Sequence, residues 1–206
     1  MKDTRNHILR ISLRLFLQKN FKEVTMKEIV EETGMSKGAF YHYFTSKEEL
    51  FHEIIQHFFS AILEFDFDQL PSDSLHKFYH AYADEVNTMR FRFLSTEDLP
   101  GEDFMDMNFF ALLFDAFKLF PEFRQQMEQY HRKESRAWNR AIGNARKSGE
   151  ISTPLTDDQV ARIFMYTSDG LTMNLTMERD TAGLEEKLAS LWDHFYATLK
   201  PTSPKP

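Results

Sequence analysis

The chain has 206 residues, 42% hydrophobic and 28% charged, and no Cys, a composition that fits a folded globular protein and excludes disulfides, zinc–thiolate sites and thiol-bound iron–sulfur clusters. The net charge of -7 is unevenly spread: residues 1–50 hold nine Lys/Arg and seven Asp/Glu, while residues 51–206 hold 16 and 25, a mildly basic head on an acidic body. A charged start without a cleavage-site pattern, and no apolar run of about 18 residues, lead to the expectation of a cytoplasmic chain with no membrane partner.

In chain order, Ile8, Ile11, Leu15 and Phe16 recur at helical spacing over 5–19, and Asn20 follows as a residue that tolerates a left-handed cap. Thr25-Met-Lys-Glu28 reads as a capping box opening a helix of about two turns, which Gly34 ends. Ser36 can cap a second short helix from Lys37 to about Phe44. Ser46-Lys-Glu-Glu49 is a second capping box, opening a helix through Leu63. The chain loosens at 66–73 around Pro71. Ser74–Leu94 reads as a helix, 95–103 as a loop and Phe104–Phe120 as a very apolar helix. Pro121 fits the first position of a long polar helix to Ser148, with Gly149 just beyond. Thr156-Asp-Asp-Gln159 is a third capping box, starting a helix to about Arg179; Thr181-Ala-Gly is a turn, and Leu184–Leu199 is the last helix. Few Gly and Pro and no convincing strand make the fold class all-α, with about nine helices. The expected division is 1–50 as a helix-turn-helix domain, 51–200 as a larger helical domain, and 201–206 as a disordered tail.

The segment around Gly34 carries the functional signal. Two short helices joined by a tight Gly turn form the helix-turn-helix pattern. Phe40 and Phe44 share a face and should anchor the second helix. Lys37, Gly38, Tyr41 and His42 then point elsewhere, offering a cation, a position without a side chain, a phenol and an imidazole to phosphates or base edges. The run from Phe21 to Leu50, with Gly34-Met-Ser-Lys-Gly38, Tyr41-His-Tyr-Phe44 and Ser46-Lys-Glu-Glu-Leu50 in that order, resembles the DNA-binding head of the TetR (tetracycline-repressor-like) transcriptional regulators. The resemblance covers about residues 5–60; Asn20 stands where the family often has Gly. It implies that Thr25 and Lys47 hold phosphate at helix N-termini and that Tyr41 also holds phosphate. Lys27, Lys37, Gly38, Ala39 and His42 would face the major groove, Tyr43 could do either, and Ser36 belongs to the same DNA-binding set.

The resemblance also implies a homodimer on double-stranded DNA, made by the last two long helices. Their apolar stripes put Phe164, Leu171, Leu175, Leu188, Leu191, Trp192 and Phe195 forward as interface candidates. It implies a small-molecule effector pocket as well. Phe109, Phe110, Leu113, Phe114 and Phe117 on one helix and Met165, Tyr166 and Met173 on another would suit an apolar or aromatic ligand. His76, His80 and Asp84 share a helix face, but without a supporting motif they read as a solvated surface, so no metal and no cofactor is expected. No catalytic motif is recognisable, so an enzyme is not expected. The function expected is a ligand-released repressor on a palindromic operator. The alternatives are a helical small-molecule-binding protein, or an activator with the same head.

Overall fold

In the computed structural model, residues 2–94 and 107–201 are described, and among them every regular element is helical. The nine helices are α1 (Lys2–Lys19), α2 (Met26–Thr33), α3 (Lys37–Tyr41), α4 (Lys47–Leu63), α5 (Leu75–Leu94), α6 (Met107–Leu119), α7 (Pro121–Ser148), α8 (Asp157–Glu178) and α9 (Leu184–Leu199). A 3-10 turn at Phe67–Gln69 interrupts the loop expected at 66–73. The expected loop at 95–103, Phe104 and the tail beyond Pro201 lie outside the described residues.

The punctuation follows from local chemistry. Asn20 takes a φ of 76°, and its Oδ1 accepts the amides of Lys22 and Glu23 at 3.0 and 3.2 Å, closing the α1–α2 turn. Pro121 is the first residue of α7, where its missing N–H leaves no bond unmade. Thr156 and Gln159 form the complete reciprocal box at the start of α8. The other two expected boxes form by half. Thr25 and Ser46 accept the amides of Glu28 and Glu49, but Glu28 turns to the Lys19 ammonium, and Glu49 accepts from the amide and hydroxyl of Thr45. In each a nearer or charged donor replaces the cap amide.

Two compact units result: Met1–Glu64 with Phe91–Gln126, and Phe65–Arg90 with Met127–Pro206. The first extends well beyond residue 50. Its core joins Ile8, Leu13 and Phe16 of α1 to Ile29, Phe40, Phe44, Phe51 and Ile54, and the α6 segment adds Leu112, Ala116 and Phe120. Phe51 lies 5.6 Å from Phe120, and Phe59 lies 5.7 Å from Phe123. The second unit is built on aromatic side chains. Trp138 stacks on Phe164 at 4.8 Å and meets Phe78 and Trp192 at 4.8 and 5.5 Å, while the Trp192 indole N–H donates to the Phe164 carbonyl at 3.2 Å.

This packing corrects part of the expected dimer surface. Phe164, Leu175, Leu188 and Trp192 are buried within their own unit, so they are core rather than free apolar surface. A period of 3.6 identifies a stripe, but it does not separate the part that faces inward from the part that faces out.

Candidate nucleic-acid interface

Three local choices build the interface. Gly34 caps α2 at φ 66°, a left-handed conformation that costs glycine nothing extra and turns the chain sharply toward α3. Ser36 then starts α3, its hydroxyl accepting the Ala39 amide at 3.3 Å. Phe40 and Phe44, both fully buried, pin α3 from beneath. The α3 helix ends at Tyr41, a turn earlier than expected, because the Tyr43 amide bonds back to Phe40 at 2.9 Å and tightens the last turn.

The anchors leave a contiguous polar run outside. Ser36, Lys37, Gly38, Ala39, Tyr41 and His42 are exposed, as are Thr25 and Lys27 on the neighbouring helix; Tyr43 is half-buried. A Cβ placed on Gly38 would meet nothing within 4 Å, so the outer face of α3 is open there. The Lys37 ammonium lies 5.9 Å from the centre of the Tyr41 ring.

The electrostatics of the head separate this face from the rest. Arg5 forks onto Glu53, Arg14 meets Glu32 at 3.1 Å, and Lys19 binds Glu28. These cations are matched by the head's own carboxylates. Hydrogen bonding to Lys19 holds the Glu28 carboxyl below its usual range, and bonds from Thr45 do the same for Glu49. Among the described residues Lys37 makes no ion pair, and Lys27 is opposed by exposed Glu31 at 3.7 Å.

Lys47 has a different placement from the one its family role implies. Its ammonium donates to the carbonyls of Phe21 and Val24 at 2.7 and 2.8 Å and sits 4.4 Å from the centre of the Phe21 ring. It clamps the α1–α2 turn, which leaves one of its three N–H donors for an outside partner. Sequence pattern could not show this, since nothing in a capping box indicates that its second residue reaches back across 23 to 26 positions.

Residues 8–54 match the family model described as bacterial regulatory proteins, tetR family. Residues 8–54 are a TetR-type head. The head is a DNA-binding helix-turn-helix, and the protein is a transcriptional regulator rather than an enzyme. The chain is 28% identical over 194 residues to the HTH-type transcriptional regulator YfiR of Bacillus subtilis, covering 90% of this chain and 88% of that one. It is 44% identical over 46 residues to the HTH-type transcriptional repressor NemR of Escherichia coli, covering 22% of this chain and 23% of NemR. Among solved structures, reduced E. coli NemR superposes with a TM-score of 0.58 at 22% identity, over 93% of this chain and 97% of that one. A TetR/AcrR family member superposes at 0.61 with 21% identity, over 95% and 100%. At these identities the superpositions concern the fold.

The remaining TetR-type candidates divide between the two units. Phe109, Phe110, Leu113, Phe114 and Phe117 lie on α6 in the first; Phe109 stacks on Phe59 at 6.0 Å, and Phe117 on Phe123 at 5.4 Å. Met165, Tyr166 and Met173 lie on α8 in the second, where Met165 packs on the core and Tyr166 and Met173 are exposed. Of the dimer candidates, Leu171 and Phe195 are half-buried and Leu191 is 48% exposed. Pattern reading had not put forward Met177, which is exposed on α8 at 49%. Leu171 and Leu191 line a shallow groove of about 460 Å³ with Glu186, Lys187 and Ser190. No helix among the described residues is long and apolar enough to cross a membrane.

Proposed function

We propose that this regulator is a repressor that binds a palindromic operator as a homodimer and leaves it when a small apolar or aromatic effector binds. The observation that carries the reading is the exposed run Ser36, Lys37, Gly38, Ala39, Tyr41 and His42, held by two fully buried phenylalanines. In this reading Thr25 and Tyr41 donate to phosphate, as does the remaining N–H of Lys47. Lys27, Lys37, Gly38, Ala39 and His42 face the major groove, and Tyr43 stands at its edge beside Ser36. Phosphate contacts set affinity and register; base contacts set sequence preference. Residues 1–50 thus recognise DNA and 51–200 serve pairing and sensing, a division of roles laid over the two compact units.

The homodimer is assigned to the outer faces of α8 and α9. Ile163, Tyr166, Met173, Met177 and Leu191 are large apolar or aromatic side chains left at least 37% exposed there. That is much apolar surface for two helices to leave in water. A two-fold pair predicts half-sites about one helical turn, or a multiple of it, apart. The effector is assigned to Phe109, Phe110, Leu113, Phe114 and Phe117 of α6, whose chemistry suits an aromatic ring or an alkyl chain. An effector acts by binding better to a state whose head spacing misfits the operator. The name repressor, carried by the relatives NemR and DhaR, supports the sign of regulation.

Selection of bound fragments from a random or genomic DNA pool, repeated with aromatic and alkyl compounds, tests the reading. The expected result is one palindromic site whose recovery falls with the active compound. A non-palindromic site overturns the symmetric dimer. Failure to enrich any sequence overturns the DNA reading in favour of a small-molecule-binding protein. Reporter expression that rises when the protein is present overturns repression in favour of activation.

A further inference from the structure

A histidine pair on α5 and an aspartate on α9 come together on the surface of the second unit. One donor atom from each of His76, His80 and Asp193 lies within 4.8 Å of the other two. The sequence places His76 and His80 on one face with Asp84; the fold supplies the third group from a helix 113 positions away instead. The two imidazole rings lie 4.6 Å apart, and His80 Nε2 stands 3.1 Å from Asp193 Oδ1. We propose that His76, His80 and Asp193 bind a divalent transition-metal ion, zinc fitting best, and that the ion ties α5 to α9.

The chemistry of the donors selects the ion. Two imidazoles and one carboxylate suit borderline metals such as zinc; calcium and magnesium want oxygen ligands. Tetrahedral zinc with bonds of about 2.0–2.1 Å holds its ligand atoms roughly 3.4 Å apart. The donor atoms, within 4.8 Å of one another, would close to that spacing by rotation of the exposed His76 and Asp193 and the half-buried His80. Three protein ligands on an open surface leave a fourth position for water or a further donor.

The surroundings hold the donors in place. The buried Tyr79 ring directs its hydroxyl onto Asp193 Oδ1 at 2.5 Å, which orients the carboxylate. The His76 amide donates to Glu150 at 3.0 Å, which fixes the first turn of α5. An ordinary ion pair accounts for His80 with Asp193 but gives no reason for the second imidazole beside them. A metal ion uses all three. Asp193 is two residues from Leu191, so the ion would also stiffen the helix assigned above to pairing, although the site does not depend on that assignment.

The test uses the full-length protein without a histidine tag, stripped with chelator and desalted. Zinc is titrated in competition with a chromophoric indicator, and cobalt is followed by its visible absorption. The expected result is one saturable zinc per chain and a zinc-dependent rise in Tm. His76→Ala, His80→Ala and Asp193→Asn each weaken binding by about tenfold or more, whereas His194→Ala, on the same helix outside the cluster, has no effect. Tyr79→Phe keeps the stoichiometry but weakens affinity by roughly 10–100-fold, as for loss of a bond that orients a ligand. Circular dichroism confirms folding of each variant. Absence of saturable one-to-one binding, or wild-type affinity in folded His76→Ala or Asp193→Asn, overturns the site.

Discussion

Gly34 and Gly38 stand four positions apart and are constrained by different things. Gly34 holds φ 66° with open space around it, so a methyl there meets no neighbour but forces a left-handed alanine. Gly34→Ala should therefore lower stability by about 1–2 kcal/mol, read by chemical denaturation. Gly38 has ordinary helical backbone and the same open space. Gly38→Ala should leave stability unchanged or raise it by up to about 1 kcal/mol, while weakening operator binding roughly tenfold through lost close approach. Unchanged operator affinity would remove Gly38 from the contact surface. The next pair separates clamp from contact. Lys47→Met removes two bonds to backbone carbonyls and should destabilise the head by about 1.5–3 kcal/mol. Tyr41→Phe keeps the ring and should shift stability by no more than about 0.5 kcal/mol, yet lower affinity for all DNA sequences by roughly 2–10-fold. Equal affinity of Tyr41→Phe and wild type in a binding titration would exclude the phosphate role.

Helix ends show how much of the fold was legible in the sequence. Asn20, Gly34, Pro121 and Thr156 act as their types predict, because each effect is local: a φ angle, a missing N–H, a side chain three residues from its amide. The start of α5 was not legible in that way. Its first amides, from Leu75 and His76, donate to Glu150 at 3.1 and 3.0 Å, joined by the Ser74 hydroxyl at 2.9 Å and the Tyr196 hydroxyl at 2.9 Å. Nothing in the connector Glu150–Leu155 indicates that its first residue caps a helix 75 positions earlier. The same distance hid Asp193 from the histidine pair. The anion at this helix end has a pH signature. Burial alone would push the Glu150 carboxyl up, but the four bonds outweigh it and hold the group below its usual range. Because the folded value is the lower one, the contribution to stability is complete above the unfolded value. It is lost as pH falls through the folded value, which lies below the ordinary carboxylate range. Glu150→Gln should destabilise by about 1–3 kcal/mol at neutral pH and flatten the fall of Tm on acidification. A Tm profile of unchanged steepness in that variant would show that Glu150 does not anchor α5.

At the scale of the whole molecule, one head offers few cations to DNA. Lys27 and Lys37 are the ones turned outward on the proposed face, with one donor of Lys47 beside them. Two to four phosphate contacts per head give a dimer about four to eight, and log affinity should then fall against log salt with a slope of roughly −4 to −7. In the proposed dimer, pairing of two heads rather than one head alone would set both affinity and salt sensitivity. Leu191 is the residue on which to test this, because it is half exposed, whereas its neighbour Trp192 is core. Trp192→Ala would remove packing worth about 3–5 kcal/mol and confuse unfolding with dissociation. Leu191→Asp should leave the monomer folded, with a stability change within about 0.5 kcal/mol, and place a charge against the partner's apolar face. Sedimentation should show a shift toward monomer, and the salt slope of operator binding should fall to about half. If Leu191→Asp sediments as wild type does and keeps the full slope, the pairing surface lies away from this part of α9. If it becomes monomeric yet keeps the full slope, the two heads do not contact DNA as a pair, and the palindromic operator fails with them.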